Sequence, residues 1–201
     1  MIDVEPDRRP DGRTARRDRN KDLVLDAVLE LFREEADYPG PAQVAERSGL
    51  SLRSVYRYYE DMDELVRAAM ARHLGQIQPL FQIDALGEGA LLDRIDRIVT
   101  QRFRLYEAVA PMMRAALYRE RSNELIRLRL HQVRAELRQQ VEAMFEPELR
   151  RMDAATRREV GAALDVMLEF EAVDLLRRQR ALSGPETRRV MIRAVASLLG
   201  A

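Results

Sequence analysis

The chain of 201 residues has no cysteine, no tryptophan, only two histidines and no excess of either charge, since 34 basic side chains meet 34 acidic ones. The lack of cysteine excludes a disulfide framework and a thiolate metal site. His73 and His131 stand far apart in sequence, and no glycine-rich phosphate loop or nucleophile elbow accompanies them. Neither an enzymatic activity nor a metal or other cofactor is expected. No apolar run approaches the roughly 20 residues that span a bilayer, and the N-terminus lacks an apolar signal segment. A cytoplasmic protein without membrane segments is expected. Zero net charge provides no global field for nucleic acid, so any such surface has to be local. Of the basic residues only Lys21 is a lysine. Carboxylates alternate with arginines along helical stretches, as on the solvated faces of salt-bridged helices.

Against this background, residues 41 to 59 stand out. Pro41 suits the first turn of a helix, where a missing N–H costs nothing, and Gly49 ends that helix in a left-handed conformation. Ser51 offers a side-chain oxygen to cap the next helix. Ala45 is small where two helices cross, and Val44, Leu50 and Val55 fill the crossing. This spacing predicts a helix-turn-helix, whose second helix reads the major groove of DNA. With Val55 inward, Arg53, Ser54, Arg57 and Tyr58 are expected to face outward. From Arg47 to Tyr59 there is no acidic residue, as a phosphate-facing surface requires.

Residues 1–19 hold prolines, a glycine and many charges, and a disordered basic arm is expected, with Arg16, Arg17 and Arg19 near DNA. A first helix is predicted from about Asn20 to Glu35, with Val24, Ala27, Val28, Leu31 and Phe32 in one apolar stripe. Asp61 and Glu64 form a capping box opening a fourth helix, Met62 to about Gln78. His73 on that helix is expected to be solvated. After a flexible connection at Asp84 to Gly89, helices are predicted near 90–108, 110–119, 123–146, 154–181 and 185–199, the last opened by a Ser183–Glu186 capping box. The fold class is therefore all-α, about nine helices: an N-terminal three-helix helix-turn-helix domain (20–70) and a C-terminal helical bundle (71–201), to which the family resemblance given next assigns effector binding and dimerisation.

The run Gly-Leu-Ser-Leu-Arg-Ser-Val-Tyr-Arg-Tyr-Tyr-Glu-Asp-Met-Asp-Glu-Leu, with the helices before it, resembles the N-terminal domain of the TetR family of bacterial transcriptional regulators. The match covers residues 20 to about 70 and includes Ala45, Gly49, Ser51, Tyr56, Tyr59 and Leu65. It implies a homodimeric repressor released from a near-palindromic duplex operator by a small hydrophobic effector. With Arg17 of the arm, the DNA-facing set becomes Gly40, Gln43, Ser51, Leu52, Arg53, Ser54, Tyr56, Arg57 and Tyr58, Tyr56 contacting a phosphate. Three positions depart from the family pattern: Gly40 replaces a capping Thr or Ser, Arg53 a small residue, and Met62 a Lys.

In the C-terminal part, the last two helices carry apolar residues on two sides, and the second side is expected to meet a partner chain through Val166, Phe170, Val173, Met191, Val195 and Leu198. The resemblance implies an effector cavity among Phe103, Tyr106, Met113, Leu117, His131, Met167, Phe170 and Glu171, a methionine-rich apolar set that by spacing alone reads as core. The alternative to a regulator is a helical dimer with a vestigial helix-turn-helix that binds protein or ligand without specific DNA binding.

Overall fold

The computed structural model describes residues 12–35, 38–121 and 123–201. Its described residues are helical, without strands, and form two compact units, residues 1–75 and 76–201. The expectation of a disordered arm over residues 1–11 lies outside the described residues.

The N-terminal unit contains α1 (Gly12–Glu35), α2 (Pro41–Ser48), α3 (Leu52–Tyr58) and all but the end of α4 (Met62–Ile77). All five residues of the predicted α1 stripe are buried, joined by Val44, Val55, Leu65 and Ala69. Phe32 meets Tyr38 edge to face, ring centroids 6.3 Å apart. Charge pairs close the rim: Arg47 takes Glu34 in a bidentate pair at 2.8 and 2.6 Å, and Arg72 takes Asp22 and Asp26. One expectation is corrected at the start. α1 begins at Gly12, so residues 12–19 are helix and not an irregular arm. Their sequence carries helix-forming arginines in place of the prolines that precede them. His73 is buried, not solvated.

The C-terminal unit follows a 3₁₀ turn (Gln78–Phe81) with α5 (Leu91–Arg119), α6 (Glu124–Met144), α7 (Glu146–Leu149), α8 (Ala154–Leu168), α9 (Phe170–Asp174), a π-helical turn (Leu175–Gln179) and α10 (Gly184–Leu198). No described helix is long and apolar enough to cross a membrane. The two helices predicted over 90–119 are one, with Pro111 inside it. An interior proline costs about 3 kcal/mol, and the buried stripe of Val109, Met112 and Ala115 that straddles Pro111 offsets it. Conversely, the single helix predicted over 154–181 breaks at Glu169, which is extended at φ −79°, ψ 158°. The break is held from outside: the buried Tyr106 hydroxyl donates to the Leu168 carbonyl, and its ring meets Phe170 edge to face at 5.7 Å.

Two arginines that look like surface charges are core. Arg94 is paired to Glu148 at 2.6 Å, while Arg102, fully buried, donates to the Leu137 carbonyl at 2.8 Å and to Gln140 at 2.8 Å. Four of the six expected partner-facing residues are also core within one chain: Phe170 and Val173 of α9 are buried, as are Met191 and Val195 of α10, which packs against α5 and α8. Val166 is 66% exposed and Leu198 half-buried.

Candidate nucleic-acid interface

The α2–α3 turn is built from local bonds. Gly49 is left-handed (φ 69°), its N–H reaches the Glu46 carbonyl at 3.2 Å, and the Leu50 N–H reaches the Ala45 carbonyl at 3.1 Å. This pair is a Schellman closure, which needs a residue tolerant of positive φ. Two residues later Ser51 Oγ accepts the Ser54 N–H at 3.2 Å and lies 2.9 Å from Ser54 Oγ, so the first turn of α3 is capped. Ahead of α2, the Gly40 N–H donates to Gln43 Oε1 at 2.7 Å, which satisfies one orphan donor without a hydroxyl at position 40.

The resulting α3 has two faces. Val55 and Tyr58 are buried; Leu52, Arg53, Tyr56 and Arg57 are exposed, Tyr56 at 46%. Tyr58, expected to face outward, is therefore corrected to an internal strut. Its hydroxyl accepts from Arg57 Nη2 at 2.8 Å and from Asn20 Nδ2 at 3.2 Å, and the Arg57 guanidinium lies 5.0 Å from the Tyr58 ring centroid. Those two hydrogen bonds, Asn20 first, hold the phenol below its usual range. The Arg57 side chain thus lies toward α1, where Thr14, Arg16, Arg17, Asn20, Arg57 and Tyr58 line a cleft of about 520 Å³.

A second cleft, of about 620 Å³, lies in the C-terminal unit beside the π turn. Tyr106, Ala110, Phe170, Val173 and Leu182 give it an apolar wall, and Glu107, Arg114, Asp174, Arg177, Arg178 and Glu186 give it a polar one. Arg114 pairs with Asp174 at 2.9 Å and Arg177 with Glu107 at 3.3 Å. Burial pushes the Tyr106 phenol far up, so it stays neutral.

No protein-family model matches the sequence, and no curated protein matches it. Solved structures do. A proposed TetR-family transcriptional regulator from Rhodococcus sp. superposes with a TM-score of 0.67 at 13% identity, covering 90% of this chain and 99% of the other. A proposed transcriptional regulator from Pseudomonas aeruginosa PAO1 gives 0.64 at 18% identity, covering 92% of each chain. One from Streptomyces coelicolor A3(2) gives 0.56 at 19%, covering 91% of this chain and 99% of that one.

The chain has a TetR-type fold.

Within this TetR-type fold the expected DNA-facing residues divide three ways. Leu52, Arg53, Tyr56 and Arg57 are exposed together on α3. Ser51, Ser54 and Gln43 are engaged in capping, and Gly40 is tight, since a Cβ there would lie 3.3 Å from Gln43 Oε1. Arg17 is on α1 in the cleft, accompanied by Thr14 and Asn20, which no motif marked. An alternation of 14, 17 and 16, 20 along α1 would have revealed them had the segment been read as helix.

Of the expected effector residues, only Tyr106 and Phe170 line the C-terminal cleft. His131 is exposed, Glu171 is exposed and paired with Arg134 at 2.7 Å, and Phe103, Met113, Leu117 and Met167 are half-buried outside its lining. The cleft that holds two of the expected residues is half-polar and has no methionine in its lining. Arg177 and Arg178 were missed because the π turn shifts the helical register there, leaving no period to read, and Arg114, on α5, resembles any other arginine of a charged helix.

Proposed function

We propose that the protein is a dimeric, sequence-reading DNA-binding transcriptional regulator that acts in the cytoplasm as a repressor. The observation that carries this is the acid-free, exposed face of α3, presented on a fully capped helix-turn-helix inside a TetR-type fold. Leu52 and Arg53 face bases in the major groove, while Tyr56 contacts a phosphate. Two chains pair through α8 and α10, with Val166, Val190 and Leu198 as the apolar residues left for the partner. A small effector with an apolar body enters the cleft over Tyr106 and Phe170, and by binding one arrangement of the dimer better it releases the DNA.

The test is selection of bound sequences from a random duplex pool by the purified protein at moderate salt. Enrichment of a near-palindrome, with half-sites about 10 base pairs apart between centres, is the expected result, and Arg53→Ala relaxes the selected sequence. A folded, dimeric protein that enriches nothing has a vestigial helix-turn-helix and acts instead as a ligand- or protein-binding dimer.

A further inference from the structure

The geometry points to a phosphate clamp, separate from the base-reading face, in the cleft between the N-terminal turns of α1 and the end of α3. Its residues are Arg16, Arg17 and Arg57, with Thr14, Asn20 and Tyr58 between them. The clamp presupposes DNA as the partner proposed above and adds where and how its backbone is gripped.

Three observations support it. First, the described lining residues include three guanidinium groups and no carboxylate. Elsewhere in the same unit Arg47 and Arg72 are neutralised by two acids each, yet Arg16, Arg17 and Arg57 make no ion pair with any described residue. Three like charges around one cleft repel one another, and an anion is the group that reverses the sign of that interaction. Second, one donor and the backbone bearing another are fixed in advance. Arg57 is held by the Tyr58 hydroxyl and ring, and the Asn20 bond to the same hydroxyl fastens the α1 face bearing Arg16 to α3. A planar guanidinium on a rigid support takes phosphate oxygens bidentately at low entropic cost. Third, Arg57 belongs to both the cleft and α3, so an anion in the cleft lies beside the exposed residues Arg53 and Tyr56. A phosphodiester of the duplex read by α3 satisfies all three, and a helical α1 start, unlike a loose arm, presents its arginines in one register.

The experiment measures the affinity of the full-length protein for a short random-sequence duplex and for the selected duplex as salt is raised. Arg16→Ala/Arg17→Ala is expected to flatten the plot of log affinity against log salt by about 1.8, two phosphates at roughly 0.9 each. The ratio of selected to random affinity stays at the parent value, and Arg16→Lys/Arg17→Lys restores the slope. Circular dichroism confirms that the variants fold. An unchanged slope overturns the clamp, as does a slope that falls together with the selectivity ratio, which would make these arginines base readers. If the parent shows no selectivity but the slope still falls by the stated amount, the clamp stands and the sequence-reading function falls. If inorganic phosphate at millimolar concentration competes more strongly than its ionic strength explains, the cleft is a free-phosphate site and the duplex assignment is overturned.

Discussion

Replacing Glu148 should unseat the buried charge pair that joins the start of α5 to the α6–α7 corner. The Arg94 side chain is 5% exposed and that of Glu148 12%. Their contact is bidentate, Nη2 to Oε1 at 2.6 Å and Nη1 to Oε2 at 2.9 Å, and Arg94 also donates to the Met144 carbonyl at 2.6 Å and the Gly89 carbonyl at 3.1 Å. Removing one partner of a buried pair costs about 3–5 kcal/mol, because the other charge remains uncompensated. Here two carbonyls still solvate Arg94, so Glu148→Ala is expected at the low end, about 3 kcal/mol. Glu148→Gln keeps an acceptor and loses about half as much. Urea unfolding of the C-terminal unit, followed by far-UV circular dichroism at fixed protein concentration, reads the difference.

The pH dependence adds a second constraint. The hydrogen bonds from Arg94 hold the Glu148 carboxyl below its usual range, burial opposing them only in part. A folded-state value below the unfolded one means stability that is complete above the unfolded carboxylate range near pH 4.3 and disappears as pH falls through the lowered value. The gap between parent and Glu148→Ala should therefore be flat around neutrality and close in acid. A gap under about 1 kcal/mol at neutral pH, or one that persists undiminished in acid, refutes the reasoning.

Two glycines with positive φ should respond differently to alanine. A Cβ on Gly49 meets nothing within 4 Å, so Gly49→Ala carries only the left-handed backbone cost of about 1 kcal/mol, whereas on Gly87 it would lie 2.9 Å from the Ala143 carbonyl oxygen, making Gly87→Ala the costlier change in denaturant midpoint. Equal losses would show that the close approach at Gly87 relaxes freely. Ser51→Ala removes the α3 cap and should lower the stability of the N-terminal unit by about 1 kcal/mol, with duplex affinity falling alongside. Ser51→Asp, which restores an acceptor, should recover stability but not affinity, because it adds a negative charge beside the exposed arginines.

What was legible in the sequence was local. Pro41, Gly49 and Ser51 each act on backbone within a few residues, so the helix-turn-helix and its caps follow from short-range chemistry alone. The Ser183–Glu186 capping box opens α10 as expected, whereas at α4 the Glu64 carboxylate returns to the Glu60 N–H and not to that of Asp61. What was hidden was decided at a distance. The break at Glu169 depends on Tyr106, 62 positions earlier than the Leu168 carbonyl it holds. Arg94 resembles any arginine on a charged helix until Glu148, 54 positions on, is folded against it. Tyr58 follows an outward arginine and has a polar tip, yet α3 ends there, and a ring at that point closes the gap to α1.

The departures at Gly40 and Met62 belong to the same arrangement as the burial of Tyr58. A hydroxyl at position 40 and an ammonium at position 62 would each place a phosphate donor at the start of α2 and α4. This chain has neither. Position 40 is instead sealed by the Gln43 amide, whose oxygen leaves little room for a side chain there. In the DNA complex proposed above, the charge missing at position 62 is supplied by other cations of the same unit, since counterion release scales with the number of phosphates that cationic side chains neutralise. The proposed clamp offers Arg16, Arg17 and Arg57 for this, with α1 tied to α3 by the Asn20–Tyr58 bond. It follows that restoring the ammonium with Met62→Lys in the Arg16→Ala/Arg17→Ala background should steepen the salt dependence by about 0.9. The same substitution in the parent adds a contact to a surface that is already occupied and should change the slope less. If Met62→Lys acts equally in both backgrounds, the two sets of donors are independent and the exchange between them is refuted.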